Sequence, residues 1–265
     1  MTLHIYQARL LHYLTESDRT ERTTSDYSQT LAVERDITLL PVIEGVQVYP
    51  EYIADGALVV DGVTGCIVEY GHNETILTKY VNTTEQAGQL VVKVHDYRDK
   101  LIMPGFIDTH VHYPQIDMIA AYGEQLLDWL NNYTFVTEAN FGDPKVAHDT
   151  AQFFLNQLLA NGTTSAMVFS TSHPESVNAF FTESHKLNTR MITGNVLMDQ
   201  NAPDNLCVLA EQGIRDTQNI IDNWHERGRQ HVAITPRFAI TSTPKQLQMA
   251  GELYASYESV YLQTH

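Results

Sequence analysis

Several large classes of protein are excluded by what this sequence lacks. It has only two cysteines in 265 residues, Cys66 and Cys207, and they form no CxxC. That spacing excludes a Cys-rich zinc site and a thioredoxin-like motif, and it argues against a disulfide framework. No run of about 18 apolar residues occurs, so no transmembrane helix is expected. Residues Met1 to Leu14 mix His, Gln and Arg with short apolar runs and lack the continuous apolar stretch and cleavage site of a signal peptide. Together these absences point to a reducing, cytoplasmic setting. Positive charge is scarce too: 16 Lys and Arg stand against 32 Asp and Glu, a formal net charge of −16. Nucleic acid and anionic membranes are therefore poor partners, because binding them needs clustered cations. No GxGxxG or GxxxxGK[ST] follows a strand pattern, and no GxSxG occurs. A nucleotide-phosphate loop and a serine-hydrolase elbow are thus not expected.

What is present is a globular balance, 43% hydrophobic and 18% charged, with twelve histidines as the unusual count. Two textures divide the chain near residue 98. Residues 1–98 suggest a small β layer. Ala57–Val60 and Cys66–Val68 make a hairpin pattern, Leu90–Val94 is another strand candidate, and residues 15–40 are a Thr/Ser-rich polar excursion. From residue 99 onward, apolar β runs alternate with helical patterns. Strands are expected at Leu101–His112, Thr164–Ser170, Met191–Met198, His231–Phe238 and Val260–His265. Helices are expected near Glu124–Asn131, Ala147–Ala160, Glu175–Leu187, Leu206–Arg227 and Pro244–Tyr257. Strict β/α alternation implies a parallel sheet with crossover helices. A full (β/α)8 barrel typically takes about 250 residues. Five strands fit either an open parallel sheet or the first part of such a barrel.

The sharpest local pattern is Asp108-Thr-His110-Val-His112 at the end of the first α/β strand. Residues two apart in a strand share a face, so the two imidazoles project together, at a spacing that suits one metal ion. Exposed strand histidines would give the same pattern. Asp108 has the same parity and suits either a hydrogen bond to a ligand histidine or a buried network. His265 ends the fifth strand, and three histidines at strand ends would form a nitrogen-rich site for Zn²⁺ or Fe²⁺. By spacing alone, His265 needs no role. Arg237-Phe238 closes the fourth strand, where an Arg can bond a planar oxo group and an aromatic can pack on a ring. Gln115, stiffened by Pro114, offers the donor and acceptor that a nucleobase edge needs. Gln125–Leu130 suits helix packing better than ring stacking. His173-Pro174 sits either at a pocket mouth or in a turn before a helix.

Taken together, these residues resemble the amidohydrolase superfamily. Leu101-Ile-Met-Pro-Gly-Phe-Ile-Asp-Thr-His-Val-His112 has the form shared by many of its members. More specific is the series His112-Tyr-Pro-Gln115, Tyr122–Leu130, Tyr133-Thr-Phe135 with Thr137-Glu138, Asn161–Thr164, Met198-Asp199 with Asn201–Pro203, Ile234–Phe238 and Gln263-Thr-His265. In order and spacing it is similar to the guanine-deaminating members of the superfamily, from about residue 98 to the end. The resemblance implies a TIM barrel of which 99–265 is the first part, with 1–98 belonging to a small β-sandwich. It implies His110, His112 and His265 as ligands of one zinc ion, with Fe²⁺ as the alternative. Pro236-Arg237-Phe238 stands where binuclear relatives carry a bridging Lys, which favours a single metal. His112, Tyr113, Pro114, Gln115, Arg237, Phe238 and His265 would contact the purine.

The implied reaction is hydrolytic deamination of guanine to xanthine and ammonia, in purine catabolism, by a homodimer. An amidohydrolase acting on another cyclic amidine or a triazine is the alternative. The proton-shuttling Glu expected three residues after the third histidine is not in this sequence, nor are a further His and an Asp, so no catalytic acid or base is assigned. The sequence is accordingly expected to be an N-terminal fragment. Purified chain supplied with metal is expected to release no ammonia from guanine in a coupled assay, and guanine-dependent release would refute that expectation.

Overall fold

The computed structural model describes residues 2–15, 48–81, 90–123 and 125–265. The polar stretch at 15–40 falls almost wholly outside them, as does Glu124. No helix among the described residues is long and apolar enough to cross a membrane. The chain forms two compact units, Met1–Pro104 and Gly105–His265.

The first unit holds a four-stranded sheet built from β1 (Thr2–Thr15), β2 (Val48–Asp61), β3 (Ile67–His72) and β4 (Val91–Ile102), in the order β3-β2-β1-β4. β1 pairs antiparallel with β2 and parallel with β4. Leu3 and Ile5 alternate onto one face, where they pack with Ala57, Val59 and Ile76. Where the pairing with β2 shifts past Ala8, the phase changes, and Ala8 and Leu10 join Ile53 in a second cluster. The hairpin pattern at 57–68 is the antiparallel β2–β3 pair. The expected all-β layer needs a correction, because helix α1 (Asn73–Tyr80) follows β3 directly. Its buried Asn73 accepts a hydrogen bond from Gln7 Nε2 at 2.8 Å, and Ile76 plugs the first cluster.

The second unit alternates strands and helices. β5 (Phe106–His112) leads through a 3₁₀ turn (Tyr113–Met118) and a segmented helical stretch to α2 (Pro144–Ala160). Then come β6 (Thr163–Phe169), α3 (Pro174–Leu187), β7 (Arg190–Thr193), β8 (Val196–Leu197), α4 (Ala210–Trp224), β9 (His231–Pro236), α5 (Pro244–Ala255) and β10 (Tyr261–Leu262). All the pairings in this sheet are parallel, in the order β10-β9-β7-β6-β5, with β8 also on β9. Each strand therefore lies beside its predecessor, without a reversal. The helix starts follow from local chemistry. Asp143 accepts from Lys145 N at 2.8 Å and Thr243 from Gln246 N at 3.2 Å, each one residue ahead of a proline at the first helical position. α2 stops at Asn161-Gly162, where Gly162 takes φ +85°. The core lies between helices and sheet: Leu155, Phe180, Phe181, Ile221 and Leu253 from the helices meet Val168, Met191, Val232 and Ile234 from the strands.

Two expected strands are each divided. Pro104 separates β4 from β5, so Leu101–His112 is not one strand. Met191–Met198 breaks at Gly194-Asn195. A Cβ on Gly194 would lie 1.9 Å from the Ala233 carbonyl oxygen, so the backbones approach too closely for any side chain. Asn195 is buried and bonds helix α4 instead, donating to Gly213 O at 3.2 Å and accepting from Thr217 Oγ1 at 2.8 Å.

At the opposite end of the sheet from the strand carboxyl termini, His225 Nδ1 accepts from Val232 N at 3.1 Å, and its Nε2 lies 2.9 Å from Ser259 Oγ. The first contact requires the neutral ring, with Nε2 carrying the proton it donates to Ser259, and burial lowers its pKa, outweighing the opposing pull of Glu226. A histidine depressed in the folded state takes up its proton more readily when unfolded, so its stabilising contribution is lost as pH falls below about 6.5. The melting temperature of the wild type is expected to fall between pH 7.5 and 5.5 more steeply than that of His225→Asn, whose amide oxygen can still accept from Val232. Identical slopes would refute this role.

Candidate active site

The carboxyl ends of β5, β6, β9 and β10 meet on one edge of the sheet, the place where α/β folds keep their ligands. β5 delivers two histidines there. Its pairing with β6 slips between Asp108 and Val111, where Thr109 and His110 stand opposite Met167 alone, so His110 lies in a β-bulge. Asp108 supports the bulge by accepting from the His110 backbone N–H at 3.0 Å, rather than from a histidine ring. His265 is carried by the continuation of β10 along β9: Gln263 N donates to Ile234 O and His265 N to Arg237 O, at 3.1 and 2.9 Å. The buried Gln263 side chain adds bonds to Val168 O and Thr235 Oγ1.

Thus His110, His112 and His265 converge, with one ring nitrogen of each within 4.8 Å of the others. His112 Nε2 and His265 Nε2 are 3.0 Å apart. Zinc bonds of about 2.0–2.1 Å place tetrahedral ligand atoms about 3.3 Å apart, so the donor set fits such an ion. Burial, with His265, Arg237 and His110 nearby, pushes the pKa of His112 down to about 3. Burial also lowers that of His265. Both rings are therefore neutral near pH 7, with lone pairs available. Phe169, at the end of β6, backs all three imidazoles, with its ring centroid 5.2, 4.6 and 4.3 Å from those of His110, His112 and His265.

Beside the histidines lies a cavity of about 270 Å³ lined by His112, Gln115, Leu126, Trp129, Leu130, Arg237, Phe238 and His265. It is smaller than the pockets of about 300–1,000 Å³ that take drug-sized ligands, and it suits a small planar molecule. Arg237 is only 2% exposed. Its Nη1 and Nη2 donate to Glu138 Oε2 and Oε1 at 2.5 and 3.1 Å. Gln115 Nε2 lies 3.2 Å from the same Glu138 Oε1 and 3.1 Å from His112 Nδ1.

Of the residues expected against a purine, Gln115, Arg237, Phe238, His112 and His265 line this cavity. Tyr113 and Pro114 do not. Tyr113 is fully buried in the main core against Phe141 and Phe180, and its hydroxyl lies 2.8 Å from Ser176 O. Burial raises its pKa, so it remains a neutral phenol. Pro114 is buried in the 3₁₀ turn. The reason is strand parity: one residue past His112, the side chain faces the helices. His173 is the N-cap residue of α3, beside Gly142, and does not line the cavity.

Conversely, Leu126, Trp129 and Leu130, for which helix packing is the favoured expectation over ring stacking, form a cavity wall. The expected single helix at 124–131 is a sequence of short pieces: α over Leu126–Trp129, π over Leu130–Thr134, α over Phe135–Glu138 and 3₁₀ over Ala139–Gly142. Each change of pitch rotates the apolar face, so one stretch serves both wall and core. Glu138 and Phe169 had no assigned role. Glu138 stands in the motif series as Thr137-Glu138, and nothing in that series shows what it contacts.

The parallel α/β sheet and the histidine-rich edge define a metal-dependent hydrolase type of site, and residues 101–265 match the sequence profile of the Amidohydrolase family. The chain belongs to the amidohydrolase family. Among characterised relatives, guanine deaminase of Escherichia coli (strain K12) is 52% identical over 174 residues, 66% of this chain and 40% of that protein. The solved structure of E. coli guanine deaminase superposes with a TM-score of 0.78 at 39% identity, covering 99% of this chain and 53% of that one. Guanine deaminase from C. acetobutylicum, solved with guanine bound in its active site, gives a TM-score of 0.71 at 25% identity, covering 99% and 52%. The chain thus spans about half the length, or less, of these relatives.

The buried ion pair makes a stability prediction independent of function. Arg237→Met leaves the Glu138 carboxylate buried without its cation and is expected to cost about 3–5 kcal/mol. The double variant Glu138→Met/Arg237→Met should recover most of that loss in urea denaturation. Equal destabilisation of single and double variants would show that the pair is not the cause.

Proposed function

We propose that this chain carries the metal-binding and purine-binding part of a guanine deaminase, a hydrolase of the C–N bond in a cyclic amidine that converts guanine and water to xanthine and ammonia. The observation that carries this reading is the convergence of His110, His112 and His265 at the rim of a small cavity that also holds Gln115 and Arg237. The similarity to the E. coli enzyme supports it, as does the guanine-bound relative. We read the unreversed strand order β5 to β10 as the first five strands of a (β/α)8 barrel, since doubly wound sheets reverse order at a switch point. By the same reading, residues 99–265 begin the barrel, and residues 1–98 contribute to a small β-sandwich.

In this assignment His110, His112 and His265 hold one zinc ion, and the same nitrogen donors also suit Fe²⁺. When bound, the ion supplies the Lewis acidity that makes water a nucleophile near neutral pH. The chain's own residues orient the substrate. Arg237 directs charged N–H donors into the cavity, and Gln115 adds an amide. Phe238 lies beside the ring, while Leu126, Trp129 and Leu130 exclude water from one side. A small planar substrate fixed at several points loses its freedom before reaction, which is where positioning lowers a barrier.

The test is zinc and guanine binding by the purified chain. One zinc per chain is expected, and His112→Ala or His265→Ala should weaken it by more than about 100-fold. Guanine should raise the melting temperature of the zinc-loaded protein, and Gln115→Ala should abolish that rise while leaving zinc bound. Zinc bound without any response to guanine would overturn the guanine assignment and direct attention to another cyclic amidine or a triazine.

A further inference from the structure

Glu138 is a fully buried acid that the chemistry above does not use. It sits on the helical turn Phe135–Glu138 and touches two cavity residues at once. Arg237 gives it two N–H bonds and Gln115 gives it one. None of the described residues lining the cavity is itself acidic. The Arg237 guanidinium also lies 5.2 Å from the Phe135 ring centroid, so its position is fixed from the same turn.

The chemistry of these contacts has a consequence. An ionised carboxylate only accepts hydrogen bonds, so the Gln115 atom facing it must be the amide nitrogen. Gln115 is thereby prevented from rotating its amide, and its oxygen is left as an acceptor. Arg237, with one N–H of each terminal nitrogen committed to Glu138 and Nη1 also donating to Met198 Sδ at 3.9 Å, keeps Nε–H and the second N–H of Nη2 as donors. A neutral residue at position 138 would impose neither constraint.

We propose that Glu138 is a positioning residue that sets purine specificity, holding Gln115 as an acceptor and Arg237 as a donor side by side. This arrangement matches a purine edge in which a ring N–H adjoins a carbonyl oxygen, as N1–H adjoins O6 in guanine. Adenine presents the inverse, a bare ring nitrogen beside an amino group. The purine half of this inference rests on the proposed function; the positioning of Arg237 does not.

The test compares zinc-loaded wild type with Glu138→Gln, which is isosteric, and Glu138→Asp, which keeps the charge one methylene further from Arg237. Without ligand, nitrogen NMR of the Arg237 guanidinium should resolve its terminal groups in the wild type, because two bonds to one carboxylate hinder rotation. Those signals should merge in Glu138→Gln and be partly retained in Glu138→Asp. In calorimetric titrations, Glu138→Gln should raise the guanine dissociation constant at least about tenfold and bring the guanine-to-adenine preference toward unity, with zinc content unchanged. Unchanged Arg237 signals in Glu138→Gln, or an unchanged guanine-to-adenine ratio, would overturn the proposal. A wild type that shows no preference for guanine would refute the proposed function and the specificity claim together, and the Arg237 signals would then decide the positioning role alone.

Discussion

Parallel pairing along the edge of one sheet is the constraint on which the rest of this site depends. In a parallel sheet every strand ends at the same rim, so residues distant in sequence arrive together without a dedicated contact. β5 brings His110 and His112, and β9 with its extension brings Arg237 and Phe238. The prolonged pairing of β10 brings His265, with Gln263 bridging to β6 and β9 from inside the sheet. The slip in register after Asp108 places His110 in a bulge, and Val111 and His112 resume regular pairing with β6.

His112 and His265 are held toward the neutral form, chiefly by burial. Burial disfavours the imidazolium, and the guanidinium and neighbouring rings would repel it. Among the described residues, the cluster of three ring nitrogens that could hold a metal ion includes no carboxylate. The acid in this neighbourhood, Glu138, is committed to Arg237 and Gln115. Negative charge is thus directed to the residues that orient a ligand and kept away from those that offer lone pairs. Burying a charge pair costs desolvation energy, which is offset only when the geometry is good and the remaining donors and acceptors are satisfied. Two bonds from Arg237 and one from Gln115 meet that condition.

Legibility in the sequence followed the range of the interactions involved. The alternation of elements from residue 105 depends on neighbours a few residues away and is legible directly, although the helix expected from Ala147 begins at Pro144 behind its Asp143 cap. His110 and His112 were legible as a pair because strand periodicity places them on one face. Tyr113 departs from its expected place because, one residue past His112, it has the opposite parity and packs into the core against Phe141 and Phe180. The break at Gly194 was invisible because it answers a carbonyl oxygen at Ala233, 39 residues away. Glu138 stands in the motif series, but its role was not legible for a similar reason: an acid near apolar residues looks solvated until its partner, 99 residues further on, is placed.

By itself, then, the sequence determined the kinds of element, their order, and the presence of strand-end histidines, because backbone propensity and side-chain periodicity are local. It also carried the motif series that marks the amidohydrolase family. The tertiary structure decided which residues share one cavity, which histidines come within ligating distance, and which acid answers Arg237. Those facts depend on strand register and on the changes of helical pitch between 126 and 142, which are set by packing between segments that no local pattern relates.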